Sequence, residues 1–469
     1  MTVVDPRLFP QRVRYAALLT VNVYVFMGNM YSSGITTGFE SLAIYFHADN
    51  DKLSALVTYS VLAMGLANLF WMPIALCFGK RPVVLFSMAM FLGGIIWSAV
   101  AQTYDSLLAS RIFASFDLFF ERNYASAMAV YAAFLSGGSQ IGPMIAGYLI
   151  EARGWRWFFI LCAIIAAVNF VTTIFMLPET IYEPDVDETQ EQPEGIEKDT
   201  HSHLETIPTR SQVGDRARMD YGEYFKGLFT VSLTKGAQKA GVFKFFAYLF
   251  VLPFPLLLIP GVLIASIMYG VVLGGVVAVS TLTPSLLSAP PYLFTSADLG
   301  LFTLSSFIGI VIAWPIAGPL TDLLSRWLRK RNNNVHKPEH RLPALIFPFF
   351  ICPIGLVIFG YTIARQMHYV KPAVGAAISA AGLTLVPSVM LSYVVDSYPR
   401  TSGEALVLVN ASKNVVAFGL AKGAYAWMAK EGVEKMFYEF AGIQWACIFL
   451  ALPLYIFGPA VRARTQKLF

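Results

Sequence analysis

Long stretches without a charged residue limit the fold of this chain more than any other feature. A transmembrane helix needs about 20 mostly apolar residues, because only a helix satisfies its own backbone hydrogen bonds in lipid. An all-α membrane protein is therefore predicted. The uncharged stretches of suitable length are 15–39, 53–79, 82–104, 124–150, 157–178, 299–321, 342–364, 372–395 and 441–461. A further apolar stretch at 405–429 is interrupted by Lys413 and Lys422.

Composition argues against several other classes of protein. Of the 469 residues, 56% are hydrophobic and 13% are charged, against roughly 25% charged in an average soluble domain. The net charge of +5 comes from cations gathered in short segments between apolar stretches, so nucleic acid is not an expected partner. The four cysteines lie inside apolar stretches without a CxxC pair, and we predict no metal and no cofactor. The apolar stretches hold no HExxH motif and no Ser/His/Asp set, so an enzyme is not expected.

Two segments in the middle of the chain are organised differently. Residues 245–297 are uncharged and too long for one helix, and three prolines break the stretch, so we expect an interfacial or re-entrant piece and then a span from about Gly261. Residues 179–239 are polar, acid-rich at first and basic later, which is typical of a flexible linker. The predicted parts are an N-terminal bundle at 1–178, a cytoplasmic linker at 179–241, a C-terminal bundle at 242–461 and a cytoplasmic tail at 462–469.

Loop charges predict the orientation in the membrane. Lys80 and Arg81 follow the second apolar stretch, and further cations follow the stretch at 299–321 and the last one. The loops on the other side, such as 47–52 and 288–298, carry few cations. By the positive-inside rule, both termini and the linker face the cytoplasm, which requires an even number of spans in each half.

Small residues followed by charges recur at one point in each half. The sequence GKRP occupies 79–82 after the second apolar stretch, and GPLTD occupies 318–322 with Arg326 following. In the fifth span, SGGSQIGPMIAG at 136–147 places glycines around a proline. These segments resemble the loop motif and the antiporter motif of the major facilitator superfamily, in particular its fungal drug:proton antiporter-like branch. Ala146 replaces one glycine of that antiporter motif.

Four shorter segments carry the same resemblance, which covers nearly the whole chain. They read GWRWFF at 154–159, PET at 178–180, PEHRL at 338–342 and VDSY at 395–398. Each is weak alone, and GxxxG spacing more often marks ordinary helix packing, but their order and spacing match the family. The resemblance implies two six-helix bundles, nominally twelve transmembrane helices, with a substrate site between the bundles near the bilayer midplane.

The resemblance also implies a function. It indicates a monomer in the lipid bilayer of a fungal plasma membrane that exports a small organic molecule in exchange for protons. Uptake of a small organic cation or nutrient is an alternative, and so is a sensor or inactive paralogue that transports nothing. The sequence does not name the substrate, since such cavities select by shape and scattered polar groups.

Gating roles are expected at these motifs. Glycines let a neighbouring helix approach, and Pro143 removes a backbone donor and can kink its helix. Asp322 and Arg326 lie four residues apart at a helix end, where a salt bridge would hold a gate closed. The alternatives are static packing for the glycines and an exposed pair of little energy for the charges. The predicted gating residues are Gly79, Arg81, Gly138, Gly142, Pro143, Gly147, Asp322 and Arg326.

The fourth span departs from the family pattern. The family has an Arg-x-x-Gln-Gly opening, a long small-residue run and an Asp-Leu-Phe-Phe-like end, whereas here RIFASF at 111–116 leads directly into DLFFER at 117–122. The stretch 106–120 is only 15 residues long, too short to span comfortably. By resemblance Arg111 is a coupling residue, and without the missing middle we expect poor transport. Either the gene model lacks an in-frame piece, or the protein carries a stub helix, or residues 245–260 supply a compensating span.

Lys413 is the charge least expected in its surroundings, eight residues into the stretch at 405–429. A lysine at the bilayer centre costs roughly 2.5 to 3.5 kcal/mol on insertion scales, so it should face the bundle interior or a wet cavity. We predict that it contacts an anionic substrate group or an acidic partner. A structural ion pair and a lysine that reaches the interface are the alternatives. The predicted substrate-binding residues are Asn29, Ser32, Lys413 and Asn414.

Overall fold

Helices form along almost all of the chain that the computed structural model describes, which comprises residues 11–116, 125–177, 234, 241–331 and 337–465. In the first half they are α1 (Gln11–Gly34), a 3-10 helix (Ile35–Gly38), α2 (Phe39–Phe46), α3 (Asn50–Phe78), α4 (Lys80–Val100), α5 (Tyr104–Ser115), α6 (Ala125–Arg153) and α7 (Trp155–Met176). In the second half they are α8 (Val242–Val251), a 3-10 helix (Phe254–Leu258), α9 (Pro260–Leu287), α10 (Ser296–Arg331), a 3-10 helix (Pro338–Leu345), α11 (Ile346–Ala364), α12 (Val370–Ser397), a 3-10 turn (Pro399–Thr401), α13 (Ser402–Lys422), α14 (Ala424–Glu431), α15 (Val433–Phe449) and α16 (Ala451–Thr465).

Apolar length confirms the prediction of an all-α membrane protein. Among the described residues, nine helical segments are long and apolar enough to cross a membrane. On α7, for example, Ile164, Val168, Val171 and Phe175 follow one another at helical spacing and are 53% to 60% exposed. A stripe of this kind on a membrane helix is the surface that faces lipid.

The helices α1 and α6 are long but more polar than those nine segments. They have 24 and 29 residues and contact each other. Polar side chains of α1, such as Thr20 and Asn22, are buried in the protein. A membrane helix carries such groups where it faces protein or a cavity instead of lipid. Their polarity therefore marks α1 and α6 as interior helices.

Helix pairs of the first half recur in the second half. In the first half α1 contacts α6, α4 contacts α7 and α3 contacts α5. In the second half α9 contacts α13, α11 contacts α15 and α10 contacts α12. Each half is thus a bundle with its own buried apolar core.

Among the described helices, α5 and α8 bear on the number of spans, and each is shorter than a membrane span. The 12 residues of α5 extend about 18 Å at 1.5 Å per residue, against about 30 Å of bilayer hydrocarbon. Residues 117–122, the second part of the predicted fourth span, lie outside the described residues. The 10 residues of α8 lie against α3. With the following 3-10 helix they form an apolar helical segment, Val242–Leu258, that is shorter than the nine candidate spans, and a compensating span at 245–260 stays a prediction. This segment is a short apolar piece that precedes the span from Pro260.

Candidate functional site at the interface between the bundles

Within the described residues, two pairs of helices make the largest contacts between the bundles. The first bundle contributes α6 and α3, which contact α10 and α13 of the second bundle, respectively. The fifth predicted span of the first bundle thus contacts the second span of the second bundle, and the second span of the first bundle contacts the fifth span of the second bundle. The interface therefore has the two-fold pattern of the sequence repeat.

The glycines of the antiporter-like segment bring α6 against α1. A Cβ atom added to Gly138 would clash with the carbonyl oxygen of Phe26, and one added to Gly142 would lie 2.7 Å from the Cα of Met30. Approach at this distance excludes any larger residue unless the helices shift. The glycines therefore determine the separation of α1 and α6 inside the first bundle.

One face of α6 meets α10 across the bundle interface. Pro143, Gly147 and Glu151 follow at a spacing of four residues and so share that face. A Cβ added to Gly147 would clash with the carbonyl oxygen of Ser296, and one added to Gly300 would lie 2.8 Å from the carbonyl oxygen of Pro143. Backbone thus meets backbone between the bundles, without side chains in the way.

Polar contacts reinforce this end of the interface, which we name the Glu151 end. Glu151 Oε2 accepts a hydrogen bond from the backbone N–H of Ala297 at 2.9 Å, in the first turn of α10, where a helix favours negative charge. Lys422 Nζ lies 3.9 Å from Asp51 Oδ2 across α13 and α3, and both side chains are at least one-third exposed. An exposed pair of this kind contributes under about 1 kcal/mol.

A cavity lined by hydroxyl, amide and apolar side chains, which we name the polar cavity for its hydroxyl and amide groups, lies between the bundles beside the Glu151 end. Its water-accessible volume is about 30 Å³. The first bundle contributes the Ile35–Gly38 helix and α6, and the second bundle contributes α9, α10 and α12. The lining residues are Thr36, Thr37, Gln140, Val276, Val279, Ser280, Thr283, Pro284, Leu299, Phe302, Thr303, Ser306, Ala376 and Ser379.

Arg111 on α5 is fully buried and is held by main-chain carbonyls. Its Nε donates to Leu56 O at 2.8 Å, its Nη1 to Tyr31 O at 3.2 Å and its Nη2 to Ser32 O at 2.7 Å. The guanidinium also lies 4.9 Å from the centre of the Tyr31 ring. These dipoles and the ring stabilise a buried charge that forms no salt bridge within the described residues. Its part in proton coupling stays a prediction.

The predicted loop motif of the first half lies at the opposite end of the bundle, which we name the Arg81 end. Gly79 has a φ of 98°, a conformation that favours glycine, and it turns the chain from α3 into α4. Arg81 is buried, and it donates to Leu177 O at 2.6 Å and to Ile174 O at 2.8 Å. A cation at the last carbonyls of α7 stabilises that helix end. Gating by Gly79 and Arg81 stays a prediction.

In the second bundle, Asp322 binds Arg341 and not the predicted Arg326. Arg341 Nη1 lies 3.3 Å from Asp322 Oδ1, and Arg341 Nε lies 2.7 Å from Asp396 Oδ2. Arg326 forms no salt bridge to any residue that the structure describes, so the predicted pairing is wrong. Asp396 binds one edge of the planar guanidinium of Arg341. The other edge of the same guanidinium then reaches Asp322 from a segment outside α10.

The last helix also takes part in this end of the second bundle. α16 continues to Thr465, past the predicted start of the tail at 462. Arg462 Nη2 lies 3.5 Å from Oε2 of Glu339, whose side chain is 3% exposed. The first residues of the predicted tail therefore pack on the bundle.

Lys413 and Asn414 face different helices. Lys413 Nζ lies 4.1 Å from the centre of the Tyr269 ring on α9, inside the second bundle. Asn414 packs against Gly65 of α3, where an added Cβ would lie 2.5 Å from the Asn414 Cβ. Lys413 has no acidic partner within salt-bridge distance among the described residues. Neither residue lines the polar cavity, and their part in substrate binding stays a prediction.

Asn29 and Ser32 on α1 are also separate from the cavity lining. The Asn29 side chain donates to Val25 O at 2.9 Å on its own helix, while the Ser32 carbonyl accepts from Arg111. The four predicted substrate-binding residues are thus not brought together by these contacts. Their part in substrate binding stays a prediction.

Comparison with known protein families identifies the architecture. A family model of the Major Facilitator Superfamily matches residues 21–421, from α1 to α13. The chain belongs to this superfamily. The paired bundles are therefore the major facilitator fold, and the resemblance seen in the motifs is confirmed.

Fungal members of the superfamily are similar along most of the chain. An MFS-type transporter of Schizosaccharomyces pombe is 23% identical over 448 residues, which cover 87% of this chain and 77% of that protein. The probable drug/proton antiporter YHK8 of Saccharomyces cerevisiae is 24% identical over 471 residues, covering 94% and 81%. The MFS transporter cpaT of Aspergillus oryzae is 26% identical over 397 residues, covering 79% and 72%. Family and relatives agree on a multi-pass membrane transporter.

Sequence reasoning missed the lining of the polar cavity. Gln140 lies within the antiporter-like segment, but only the glycines and the proline of that segment were singled out. A usable signal was present, since hydroxyl residues inside a membrane-spanning stretch are expected to face protein or water. The sequence holds many such residues, and only the tertiary structure shows which of them meet.

Proposed function

We propose that this chain is a secondary active transporter that exports a small organic molecule in exchange for protons. The observation that carries the proposal is the Glu151 end, where the bundles touch through bare backbone beside a polar cavity that both bundles line. Bundles that rock against each other give such a cavity access to one side of the membrane at a time. The similarity to a probable drug/proton antiporter supports proton exchange and export.

One proposed gate lies at the interface between the bundles, and the other lies within the second bundle. Pro143 and Gly147 allow the close approach to α10 that seals the Glu151 end, while Gly138 and Gly142 hold α6 against α1 inside the first bundle. At the other end of the second bundle, Asp322 and its partner Arg341 are the candidates for a charged latch. Because these ion pairs are partly exposed, they can break and re-form at low cost.

We also infer that the protein lies in a fungal plasma membrane with its Arg81 end towards the cytoplasm. We infer further that the transporter acts as a monomer. The cations Lys80 and Arg81 lie there, and the positive-inside rule supports this orientation. The side chain of linker residue Thr234 donates to Leu76 O at 2.8 Å, which ties the linker to the end of α3. Both termini and the linker are then cytoplasmic.

A non-transporting protein, either a sensor or an inactive paralogue, is the second candidate. The 12-residue α5 favours it, because a helix of that length leaves part of the first bundle without its fourth helix. Uptake of a small organic cation or nutrient uses the same architecture and differs only in direction.

Export is tested in cells that contain the chain and in matched cells that lack it. Untargeted mass spectrometry of cells and medium is expected to show at least one small organic compound that leaves faster with the chain. A protonophore should abolish the difference. Faster entry of a compound would establish uptake instead. Equal distributions, with the chain present in the membrane in normal amounts, would favour the non-transporting protein.

A further inference from the structure

The polar groups of the cavity at the Glu151 end are all uncharged. Its lining combines hydroxyl and amide side chains with apolar residues, and none of the described lining residues is Asp, Glu, Lys, Arg or His. An ion buried here would lose its hydration without gaining a counter-charge, which is costly in a low-dielectric site. The lining therefore favours a neutral ligand over a cation or an anion.

The threonines of the lining present lone pairs to the cavity. A threonine hydroxyl has one proton to donate and two lone pairs with which to accept. In each of the four lining threonines, that proton is already used in a hydrogen bond to a main-chain carbonyl within three or four residues on the same helical segment. The bonds are Thr36 to Ser33 at 2.9 Å, Thr37 to Gly34 at 3.0 Å, Thr283 to Val279 at 2.6 Å and Thr303 to Gly300 at 2.7 Å. These side chains can accept a further hydrogen bond from a ligand but have no proton left to donate.

Ser379 supplies the complementary group. It is 2% exposed, it lines the cavity, and its Oγ has no hydrogen-bond partner among the described residues. A buried hydroxyl without a partner is unfavourable, so a ligand that accepts its proton gains from binding there. The cavity therefore favours a ligand that both donates and accepts hydrogen bonds.

We propose that this cavity binds a small neutral molecule that carries several hydroxyl groups, of the polyol type. A hydroxyl group donates to a threonine oxygen and accepts from Ser379, and it needs no counter-charge. An ammonium group only donates and a carboxylate only accepts, and each brings a charge that nothing in the lining neutralises. That this binding serves transport rests on the proposed function.

Binding is tested on the purified full chain by saturation-transfer NMR with erythritol, choline and acetate as probes. Erythritol is expected to receive saturation from the protein, and choline and acetate are not. Thr283→Val keeps the size of the side chain but removes an acceptor, so erythritol binding should weaken about five-fold. Thr281→Val is the matched control, because Thr281 lies on the same helix with its hydroxyl bound to Val277 O and does not line the cavity.

Ser379→Ala provides a second variant in case Thr283→Val does not fold, and its erythritol binding should also weaken. Erythritol binding that both lining variants leave unchanged would overturn the proposal. So would binding of choline or acetate in place of erythritol, or no binding of any probe. Erythritol binding without any transport in cells would refute the proposed function alone. Transport of an ion by a chain that does not bind erythritol would refute the polyol site alone.

Discussion

Arg111 joins three helices through main-chain carbonyls. From α5 it reaches two carbonyls at the end of α1 and one on α3, all within 3.2 Å. The guanidinium presents its donors in a fixed planar fork, which matches several fixed acceptors better than a flexible ammonium does. At the scale of the residue, Arg111 is therefore a cross-link of the first bundle, whatever its part in coupling.

We expect Arg111→Lys to destabilise the protein by roughly 2–4 kcal/mol, because at least one buried carbonyl loses its partner and the buried charge is less well solvated. Thermal unfolding in detergent, followed by tryptophan fluorescence, measures the change. Arg153→Lys is the control, since Arg153 is exposed and lies over the Trp157 ring. Equal midpoints for the two variants would contradict the cross-link.

At the scale of the element, α6 is a spacer between α1 and α10. Its glycines remove side-chain bulk at the points where neighbouring backbone comes closest, while adjacent positions of the same helix have room. The difference between those positions allows a sharp test, because two neighbouring glycines have the same chemistry and different surroundings.

Gly138→Ala should destabilise the protein by about 1–3 kcal/mol, since its Cβ has no space beside the Phe26 carbonyl. Gly137→Ala should be neutral or slightly stabilising, because its Cβ would lie 3.5 Å from the Phe26 ring and alanine favours a helix. Unfolding midpoints of the two variants are compared under one set of conditions. A similar loss of stability in both variants would show that contact with the Phe26 carbonyl is not what makes Gly138 necessary.

Glu151→Ala should loosen the Glu151 end, because the first turn of α10 loses a charged acceptor. We expect a cysteine introduced as Thr303→Cys, in a Cys447→Ser background, to react with N-ethylmaleimide about 10-fold faster in the purified protein. Glu40→Ala is the control, since Glu40 is exposed and forms no salt bridge to the described residues. Equal labelling rates would show that backbone packing alone closes this end.

At the scale of the whole molecule, the two bundles differ in the length of their fourth helix. The fourth helix of the first bundle has 12 residues, whereas its counterpart in the second bundle, α12, has 28 residues. The side chain of Trp71 on α3 donates to Phe116 O at 3.0 Å, so the end of the short helix is held against α3. Within the described residues, the first bundle packs its core around a fourth helix of 12 residues.

Insertion of the missing helical middle of a fungal relative between Phe116 and Asp117 is expected to raise transport. A full-length helix would complete the wall of the first bundle and span the hydrocarbon region. Flux of the compound identified in cells is measured in reconstituted vesicles. An insertion of equal length between residues 200 and 201 in the linker is the control. Full activity of the unmodified chain would show that the short helix is sufficient.

Both termini and the linker should be protected from external protease in intact cells, because the cations beside the spans hold these segments in the cytoplasm. Epitope tags at each terminus and within residues 185–205 report cleavage. A tag between residues 47 and 52 should be cut in the same cells. Cleavage of the linker tag from outside would contradict a twelve-span topology with an even number of spans in each half.

The sequence by itself determined the fold class, the two-fold repeat and the family. Apolar stretches of about 20 residues leave only helices as a solution in lipid, and this constraint acts on each stretch separately. The short fourth span and the break before Pro260 were predicted for the same reason, since length and proline content are local properties. The family was predicted from the loop motifs, because the order of motifs along the chain is a property of the sequence.

Only the tertiary structure decided which polar groups meet. Asp322 was predicted to bind Arg326 on its own helix, and it binds Arg341, which is brought to it from another segment. Ser379 and Thr36 lie in opposite halves of the chain, and nothing in their spacing places them around one cavity. Helical periodicity relates residues within one or two turns. Contacts between bundles depend on how the helices pack, and that packing is settled by the fit of all their surfaces together.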